Sequence, residues 1–262
     1  MPLFISEYRK RKLVEYLRPG MKVLLDFVHG LGDTMMFMPI LYKMRELYPT
    51  TQIDIHLECD QDMLFESVVD KTGFGYDIVF GIHFPMSEGS GITKQAACCI
   101  QEIGIDPVID FAPLPMYESP LVAVHYQGTA LPESVNCPES IAEKVWNEII
   151  KVGLIPIECH FQHVFHNAKN GKYPFIDNNV RNCQANLRSL VGLLQHCFAF
   201  VGVASGPFTV AMSVLPLGRV FYLENRHTVE TYVDPFISSD VNHINVNQYV
   251  DSTIFNWLED LK

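Results

Sequence analysis

Runs of consecutive apolar residues alternate along this chain with stretches in which apolar residues recur every three or four positions. The first pattern is typical of buried parallel strands and the second of amphipathic helices. In the first half, the predicted strands are Val23–Val28, Gln52–Glu58 and Tyr76–Phe84, and the predicted helices are Ser6–Leu17, Ile40–Tyr48, Asp62–Val69 and Thr93–Ile103. This alternation indicates an α/β fold with a parallel sheet.

The same alternation restarts after a proline-rich stretch, residues 110–120, which we interpret as a linker between domains. The strands predicted beyond it are Leu121–Tyr126, Leu154–Phe161, Phe198–Val203 and Arg219–Leu223. The helices predicted there are Pro138–Lys151, Ala185–His196, Phe208–Val214 and Thr253–Leu261, the last capped by Asp251. We therefore expect two α/β domains, residues 1–117 and 118–262, the second closed by a C-terminal helix, with a ligand cleft between them.

Composition narrows the class of protein. The chain has 262 residues, a formal net charge of −11 and a pI near 5.3, and its two halves are about equally acidic, which argues against avid non-specific nucleic-acid binding. Its seven cysteines include no Cys-x-x-Cys pair, so neither a disulfide framework nor a zinc site is expected. This cysteine usage favours a protein of the reducing cytoplasm. No signal peptide is recognised, and residues 189–218, although uncharged, contain polar residues and prolines that favour a buried helix–strand–turn–helix over a membrane span.

A glycine turn follows the first predicted strand. It comprises Gly30, Leu31, Gly32, Asp33 and Thr34. Uncovered backbone amides at the start of a helix suit an anion or a hydroxyl-rich ligand. The dinucleotide fingerprint is incomplete, because its third glycine would fall at Met35. Asp33 can cap the helix or face the ligand as a base, and the residues alone leave both roles open.

A second glycine turn lies in the second half. It comprises Ser205, Gly206, Pro207, Phe208 and Thr209, between a predicted strand and a predicted helix. Outward amides near Gly206 and Phe208, with the hydroxyls of Ser205 and Thr209, would make a good site for a diphosphate. A plain strand-to-helix turn is the alternative. An esterase-type nucleophile is not indicated, because Gly202 precedes Ser205 by three residues and not two.

Together these segments resemble a known family. Gly30-Leu31-Gly32-Asp33, then Pro39 and Leu47-Tyr48-Pro49 before the Ile53–Ile55 strand, are similar to the N-terminal signature of glycosyltransferase family nine, which includes the heptosyltransferases of lipopolysaccharide synthesis. The segment Leu190–Leu223 resembles the donor-site block of that family, with Ser205, Gly206, Pro207 and Ala211 as the matching residues. The resemblance implies the GT-B fold, in which two Rossmann-like domains face a cleft. It also implies Asp33 as catalytic base, a nucleotide-sugar donor on the second domain, an acceptor on the first, and no metal or other cofactor.

Three departures from the family pattern concern the donor site. Ala204 stands where the family has an Asp, and Thr209 where it has a His. The family's Lys is missing near Val135–Pro138. We therefore include His125 and Gly128, at the end of a predicted strand, as candidate donor-binding residues, although a lone His at a strand end is more often structural.

These residues predict an inverting, metal-independent glycosyltransferase that moves a sugar from a nucleotide diphosphate to an acceptor hydroxyl. The acceptor would be a glycan or glycolipid such as lipopolysaccharide core, or a hydroxymethylated base in phage DNA. The alternatives are an inactive nucleotide-sugar binder and a nucleotide-sugar hydrolase or epimerase. A cytoplasmic location is expected, with peripheral association with the inner membrane left open. His160, His163 and His166 are interpreted as loop residues and not as a metal site.

Overall fold

The computed structural model describes residues 3–5, 12–57, 75–84, 94–107, 116–117, 119–127, 136–160, 175–177, 184–225 and 240–262. Two compact units emerge, one of Met1–Asp110 with Val180–Gln184 and the other of Phe111–Asn179 with Ala185–Lys262. The predicted helix at 62–69 and most of the predicted linker lie outside the described residues. The α/β class with parallel sheets is confirmed, because every strand pairing described is parallel.

The first unit contains a four-stranded parallel sheet. Its strands are β1 (Leu3–Ile5), β2 (Lys22–Phe27), β3 (Gln52–Leu57) and β4 (Ile78–Gly81), arranged in the order β1-β4-β2-β3. The apolar run that predicted β2 is buried from Val23 to Leu25, as expected of a strand covered on both faces. Helix α1 (Leu31–Leu47) joins β2 to β3 and packs Phe37 against Phe27, with ring centroids 4.4 Å apart.

The helical segment α2 (Lys94–Ala97) follows β4 in this unit and continues as a π-helix over Cys98–Ile103. It ends at Gly104, whose φ of 92° is the left-handed conformation that glycine adopts without strain. The predicted helix at 93–103 is therefore confirmed in position, although its second half is wound more loosely than an α-helix. Within the helix predicted from Ser6 to Leu17, the described part contains only a 3₁₀ turn at Leu13–Glu15, so that prediction was wrong there.

The second unit contains a six-stranded parallel sheet. Its strands are β5 (Leu121–His125), β6 (Ile155–His160), β7 (Phe175–Asp177), β8 (Cys197–Gly202), β9 (Val220–Glu224) and β10 (Asn242–Asn245). They lie in the order β10-β9-β8-β5-β6-β7. This is the strand order of dinucleotide-binding domains, in which the chain fills one half of the sheet before it starts the other. The helices described in this unit are α3 (Glu139–Lys151), α4 (Gln184–Gln195), α5 (Gly206–Val214) and α6 (Thr253–Leu261).

The start of α6 corrects a sequence prediction. Ser252, with φ of 70°, occupies the N-cap position, and its side chain makes no capping hydrogen bond. The free amides are taken up by Glu148 of α3, whose carboxylate accepts hydrogen bonds from the amides of Ser252 (2.9 Å), Ile254 (2.9 Å) and Phe255 (3.0 Å). The prediction that Asp251 caps this helix was therefore wrong, because a carboxylate from another helix satisfies the donors.

Among the described residues, no helix combines the length and the apolar content that crossing a bilayer requires. The uncharged segment 189–218 forms part of α4, all of β8 and α5, and the turns between them. The helix–strand–turn–helix predicted from the sequence is therefore confirmed.

Candidate functional site

The Asp33 turn lies where the strand order of the first sheet reverses. The chain leaves β2 towards β3 on one side, whereas β4 pairs with β2 on the other side. In open parallel sheets, ligands bind in the crevice outside the carboxyl ends of two such strands. Gly30 occupies the N-cap position of α1, so Asp33 is the third residue of the helix and is not its N-cap. The N-cap role that the sequence left open for Asp33 is therefore excluded.

Asp33 is held by a cation from a distant part of the chain. The Lys94 Nζ donates to Asp33 Oδ1 at 3.0 Å, and the Lys94 side chain is only 9% exposed. The other carboxylate oxygen, Oδ2, lies 3.8 Å from Nδ1 of His29. Asp33 and His29 are 23% and 21% exposed, so both remain within reach of a small ligand. His29, Asp33 and Lys94 together form what we call the Asp33 cluster.

The walls of the cluster are well fixed. The His29 ring packs on Phe27, with centroids 4.5 Å apart, and its Nε2 lies 3.1 Å from the Ile82 carbonyl oxygen. Phe84 has a φ of 52°, an unusual conformation for a residue with a side chain. Glu102 stabilises that turn, because its carboxylate accepts the amide of Phe84 at 2.9 Å. Strained backbone secured in this way is a common feature of ligand sites.

The remaining residues of the first turn have supporting roles. Leu31 is buried, and the Thr34 hydroxyl donates to the Gly30 carbonyl at 3.1 Å, while Gly32 lies in the first turn of α1. Met35, at the position of the absent third glycine, is also buried. These contacts hold the start of the helix against the sheet and leave Asp33 as the turn's reactive side chain.

The second glycine turn lies at the reversal point of the second sheet. Strands β5 and β8 are neighbours, and the chain runs outward from them in opposite directions. Gly202 ends β8, and a Cβ there would lie 2.8 Å from the His125 carbonyl oxygen, so only glycine fits this close approach. The amide of Val203 donates to the same carbonyl at 3.0 Å. The turn that follows therefore starts at the crevice where such sheets bind nucleotides.

Within this turn, the structure changes the expected set of donors. Ser205 is the N-cap of α5; its Oγ accepts the Phe208 amide at 3.3 Å and donates its proton to the Val203 carbonyl at 3.0 Å. The Thr209 hydroxyl donates to the Ser205 carbonyl at 3.2 Å, and Thr209 is fully buried. The expectations that the Phe208 amide faces outward and that the Ser205 and Thr209 hydroxyls are available as donors were therefore wrong. Pro207 has no N–H, so the Gly206 amide is the backbone donor of the turn best placed for a diphosphate.

The remaining candidates in the second unit are more deeply placed. His125 is fully buried, and its Nδ1 donates to the Cys159 carbonyl of β6, which is a structural arrangement. Gly128 lies outside the described residues. Cys137 sits near the same strand end, where its amide donates to the Tyr126 carbonyl at 2.9 Å. Burial raises the pKa of the Cys137 thiol to about 12, so it stays protonated and is a poor nucleophile.

Two members of the Asp33 cluster were not singled out from the sequence. Lys94 is 61 positions from Asp33 and follows a segment without a distinctive motif, so only the fold brings it to the carboxylate. His29 did carry a signal, because it directly precedes the Gly-x-Gly-Asp turn and lies four positions before Asp33. Among the described residues, no group of three or more His, Cys, Asp or Glu side chains is arranged to hold a metal ion.

Comparison with known proteins gives a consistent picture of the fold. A glycosyltransferase of family nine from Veillonella parvula superposes with a TM-score of 0.65 over 94% of this chain and 98% of its own, at 14% identity. The ADP-heptose lipopolysaccharide heptosyltransferase II of E. coli gives 0.65 over 92% and 98%, at 12% identity. The E. coli heptosyltransferase WaaC, solved with ADP, gives 0.59 over 92% and 100%, at 10% identity.

Neither a protein-family model nor a curated protein sequence matches the chain. At 10–14% identity, the likeness to solved structures concerns the fold and not the chemistry. The resemblance inferred from the glycine turns is thus confirmed at the level of three-dimensional structure: this chain has the fold of the family-nine glycosyltransferases.

Proposed function

We propose that this protein is a glycosyltransferase that moves a sugar from a nucleotide diphosphate to an acceptor hydroxyl. The observation that carries the proposal is the position of the two glycine turns, each of which lies at the strand-order reversal of its own sheet. The E. coli enzyme with the same fold is described in complex with ADP, which supports a nucleotide sugar as the donor here.

In this proposal, the second unit binds the donor. The Gly206 amide, with the positive end of the α5 dipole behind it, stabilises the charge of the departing diphosphate, and Ser205 caps the helix that presents this amide. No metal is needed for this role, since helix amides and hydroxyls can supply the required donors. We also propose the GT-B arrangement, in which the two domains face a shared cleft.

The first unit activates the acceptor. Asp33 Oδ2 accepts the hydrogen bond of the attacking hydroxyl and promotes its deprotonation, while Lys94 compensates the charge at Oδ1. Attack from the side opposite the leaving diphosphate inverts the configuration at the anomeric carbon. The acceptor class proposed is a glycan or glycolipid hydroxyl.

The test pairs two variants with opposite expected defects. Asp33→Asn should lower kcat by about 10²–10⁴-fold while donor affinity measured by calorimetry changes little. Ser205→Ala should weaken donor binding by several-fold, because the N-cap that holds the turn and positions the Gly206 amide is lost. The screen uses a panel of nucleotide diphosphate sugars with lipopolysaccharide core, simple glycosides and hydroxymethylated DNA as acceptors. Unchanged turnover in Asp33→Asn would remove Asp33 from the mechanism.

A second candidate function is a nucleotide-sugar binder without catalysis. It is favoured by Ala204 and by the burial of Thr209, which remove two polar groups that the family resemblance implies at the donor turn. Tight donor binding by calorimetry, with no transfer to any acceptor and no donor hydrolysis, would support this candidate over the transferase.

A further inference from the structure

The tautomer of His29 follows from its surroundings. Nε2 lies 3.1 Å from the carbonyl oxygen of Ile82, and a carbonyl oxygen can only accept a hydrogen bond. Nε2 must therefore carry a proton. In the neutral imidazole this leaves Nδ1 as a bare lone pair, and Nδ1 is the atom that faces Asp33.

The space between the two side chains consequently lacks a proton. Nδ1 of His29 and Oδ2 of Asp33 are both acceptors, and at 3.8 Å they are too far apart for a direct hydrogen bond. A hydroxyl oxygen about 2.8 Å from each of them would fit this separation, and its single proton can lie between the two acceptors and pass to one of them. Because the side chains are each about one fifth exposed, such an oxygen can come from a ligand.

The charges around the pair decide where a proton from that hydroxyl comes to rest. Lys94 lies 3.0 Å from the other oxygen of Asp33, and this attraction would be weakened if the carboxylate became neutral. An imidazole is also intrinsically a stronger base than a carboxylate. The carboxylate of Glu102 is engaged by the amides of His83 and Phe84, the two residues that follow Ile82.

We propose that His29 is a second catalytic residue, which receives at Nδ1 the proton that leaves the acceptor hydroxyl. This inference rests on the proposed transferase function. As the hydroxyl oxygen forms its bond to the anomeric carbon, the bond from that carbon to the diphosphate oxygen breaks and its electron pair leaves with the diphosphate. The hydroxyl O–H bond breaks, and its proton forms the N–H of an imidazolium beside the Asp33 carboxylate. Asp33 orients the hydroxyl and stabilises the imidazolium, and Lys94 holds Asp33.

The kinetic experiment compares His29→Gln and His29→Ala with the wild-type protein. Gln can still donate to the Ile82 carbonyl but cannot take up a proton, so kcat should fall by about 10²-fold or more while the KM for the donor changes little. Adding imidazoles of increasing basicity to His29→Ala should restore transfer in the order of their basicity. His56→Gln is the matched control, because His56 also pairs with a carboxylate, Asp26 Oδ1, at 2.9 Å in the same unit.

Two results would overturn the inference while the transferase function stands. One is a His29→Gln variant whose kcat stays within threefold of the wild-type value. The other is rescue that ignores the basicity of the added imidazole. The absence of transfer by the wild-type protein would instead reject the proposed function.

A measurement that does not depend on activity tests the tautomer. The ¹⁵N shifts of the His29 ring in the wild-type protein near pH 8 should show a proton on Nε2 and a bare Nδ1. A proton on Nδ1 under these conditions would overturn the inference even if transfer is observed.

Discussion

At the scale of single residues, the Asp33 cluster shows how a carboxylate acquires a defined orientation. Asp33 alone would be one of many surface acids, but Lys94 fixes one of its oxygens and leaves the other towards His29. Lys94 is a buried side chain, and a buried ammonium is stable only where a carboxylate compensates it. The pair therefore matters for stability as well as for the proposed chemistry.

The stability part of this argument can be measured with two lysine variants. Lys94→Ala should lower the free energy of unfolding by about 1–3 kcal/mol, because the Asp33 carboxylate loses a charge-assisted hydrogen bond at a partly buried site. The control is Lys43→Ala, which removes an exposed pair with Glu46 and should cost less than about 1 kcal/mol. Urea unfolding gives both values. Equal costs for the two variants would contradict the role assigned to Lys94.

What the sequence could reveal at this scale depended on distance along the chain. The glycine turn and Asp33 were recognisable because their signal is contiguous: a strand, two glycines, an acid and a helix. Lys94 was not recognisable, because its meeting with Asp33 requires the path of the chain through β3 and β4. At the second turn, the residue types were identified, but the inward hydrogen bond of Thr209 depends on rotamers that a sequence pattern does not specify.

At the scale of elements, Glu148 connects two helices of the second unit. Its carboxylate accepts three amides at the start of α6 and the Tyr249 hydroxyl at 3.2 Å. Burial and the nearby Glu148 charge raise the pKa of Tyr249 above its ordinary value, so this hydroxyl remains a donor. The sequence suggested Asp251 because local capping is the usual solution, whereas here an acid from α3 satisfies the same donors.

Replacing this carboxylate should separate tertiary capping from ordinary surface charge. Glu148→Gln should lower the free energy of unfolding by about 2–3 kcal/mol, because one carboxylate oxygen becomes an NH2 group that cannot accept the backbone amide facing it and the negative charge at the helix start is lost. Lys144→Ala is the matched control: it removes an exposed ion pair between α3 and Asp251, which lies just before the N-cap of α6, and it should cost less than about 1 kcal/mol. Circular dichroism during urea unfolding measures both. A Glu148→Gln cost as small as that of the control would contradict the capping role.

At the scale of the whole molecule, the free thiols make stability depend on alkaline pH. Burial raises the pKa of Cys137 and Cys197 from 9.0 to about 12, and raises those of Cys98 and Cys159 well above 9.0. The folded chain thus holds these protons more tightly than the unfolded chain does. Their contribution to stability is fully present below about pH 9 and is lost as the pH rises towards 12.

We expect the free energy of unfolding under reducing conditions to fall above pH 9 by about 1.4 kcal/mol per pH unit for each thiol that ionises only in the unfolded chain. Urea unfolding between pH 7 and 10.5 measures the slope. In the variant Cys197→Ala, the free energy of unfolding should fall less steeply with pH, because one thiol fewer ionises on unfolding. This difference in slope is expected whatever the absolute stability of the variant. A flat profile across this range would contradict the thiol assignment.

The fold of the whole molecule was accessible from the sequence only in part. The alternation of strands and helices predicted parallel sheets, and the resemblance pointed to the family whose structures superpose on this one at 10–14% identity. The strand order was not readable from the pattern, because the residues that predict a strand do not specify which other strand it pairs with.

That strand order has a consequence for biosynthesis. In the second sheet, β5 pairs with β6 on one side and with β8 on the other. Leu121 can pair with Cys197 only after all of the chain between them has been synthesised. A nascent chain stalled or truncated before β8 leaves the apolar strand β5 as an open sheet edge, a ready template for association with other chains. C-terminal truncations that remove β8 should therefore accumulate in inclusion bodies, and chaperone demand during translation should peak just before that strand leaves the ribosome.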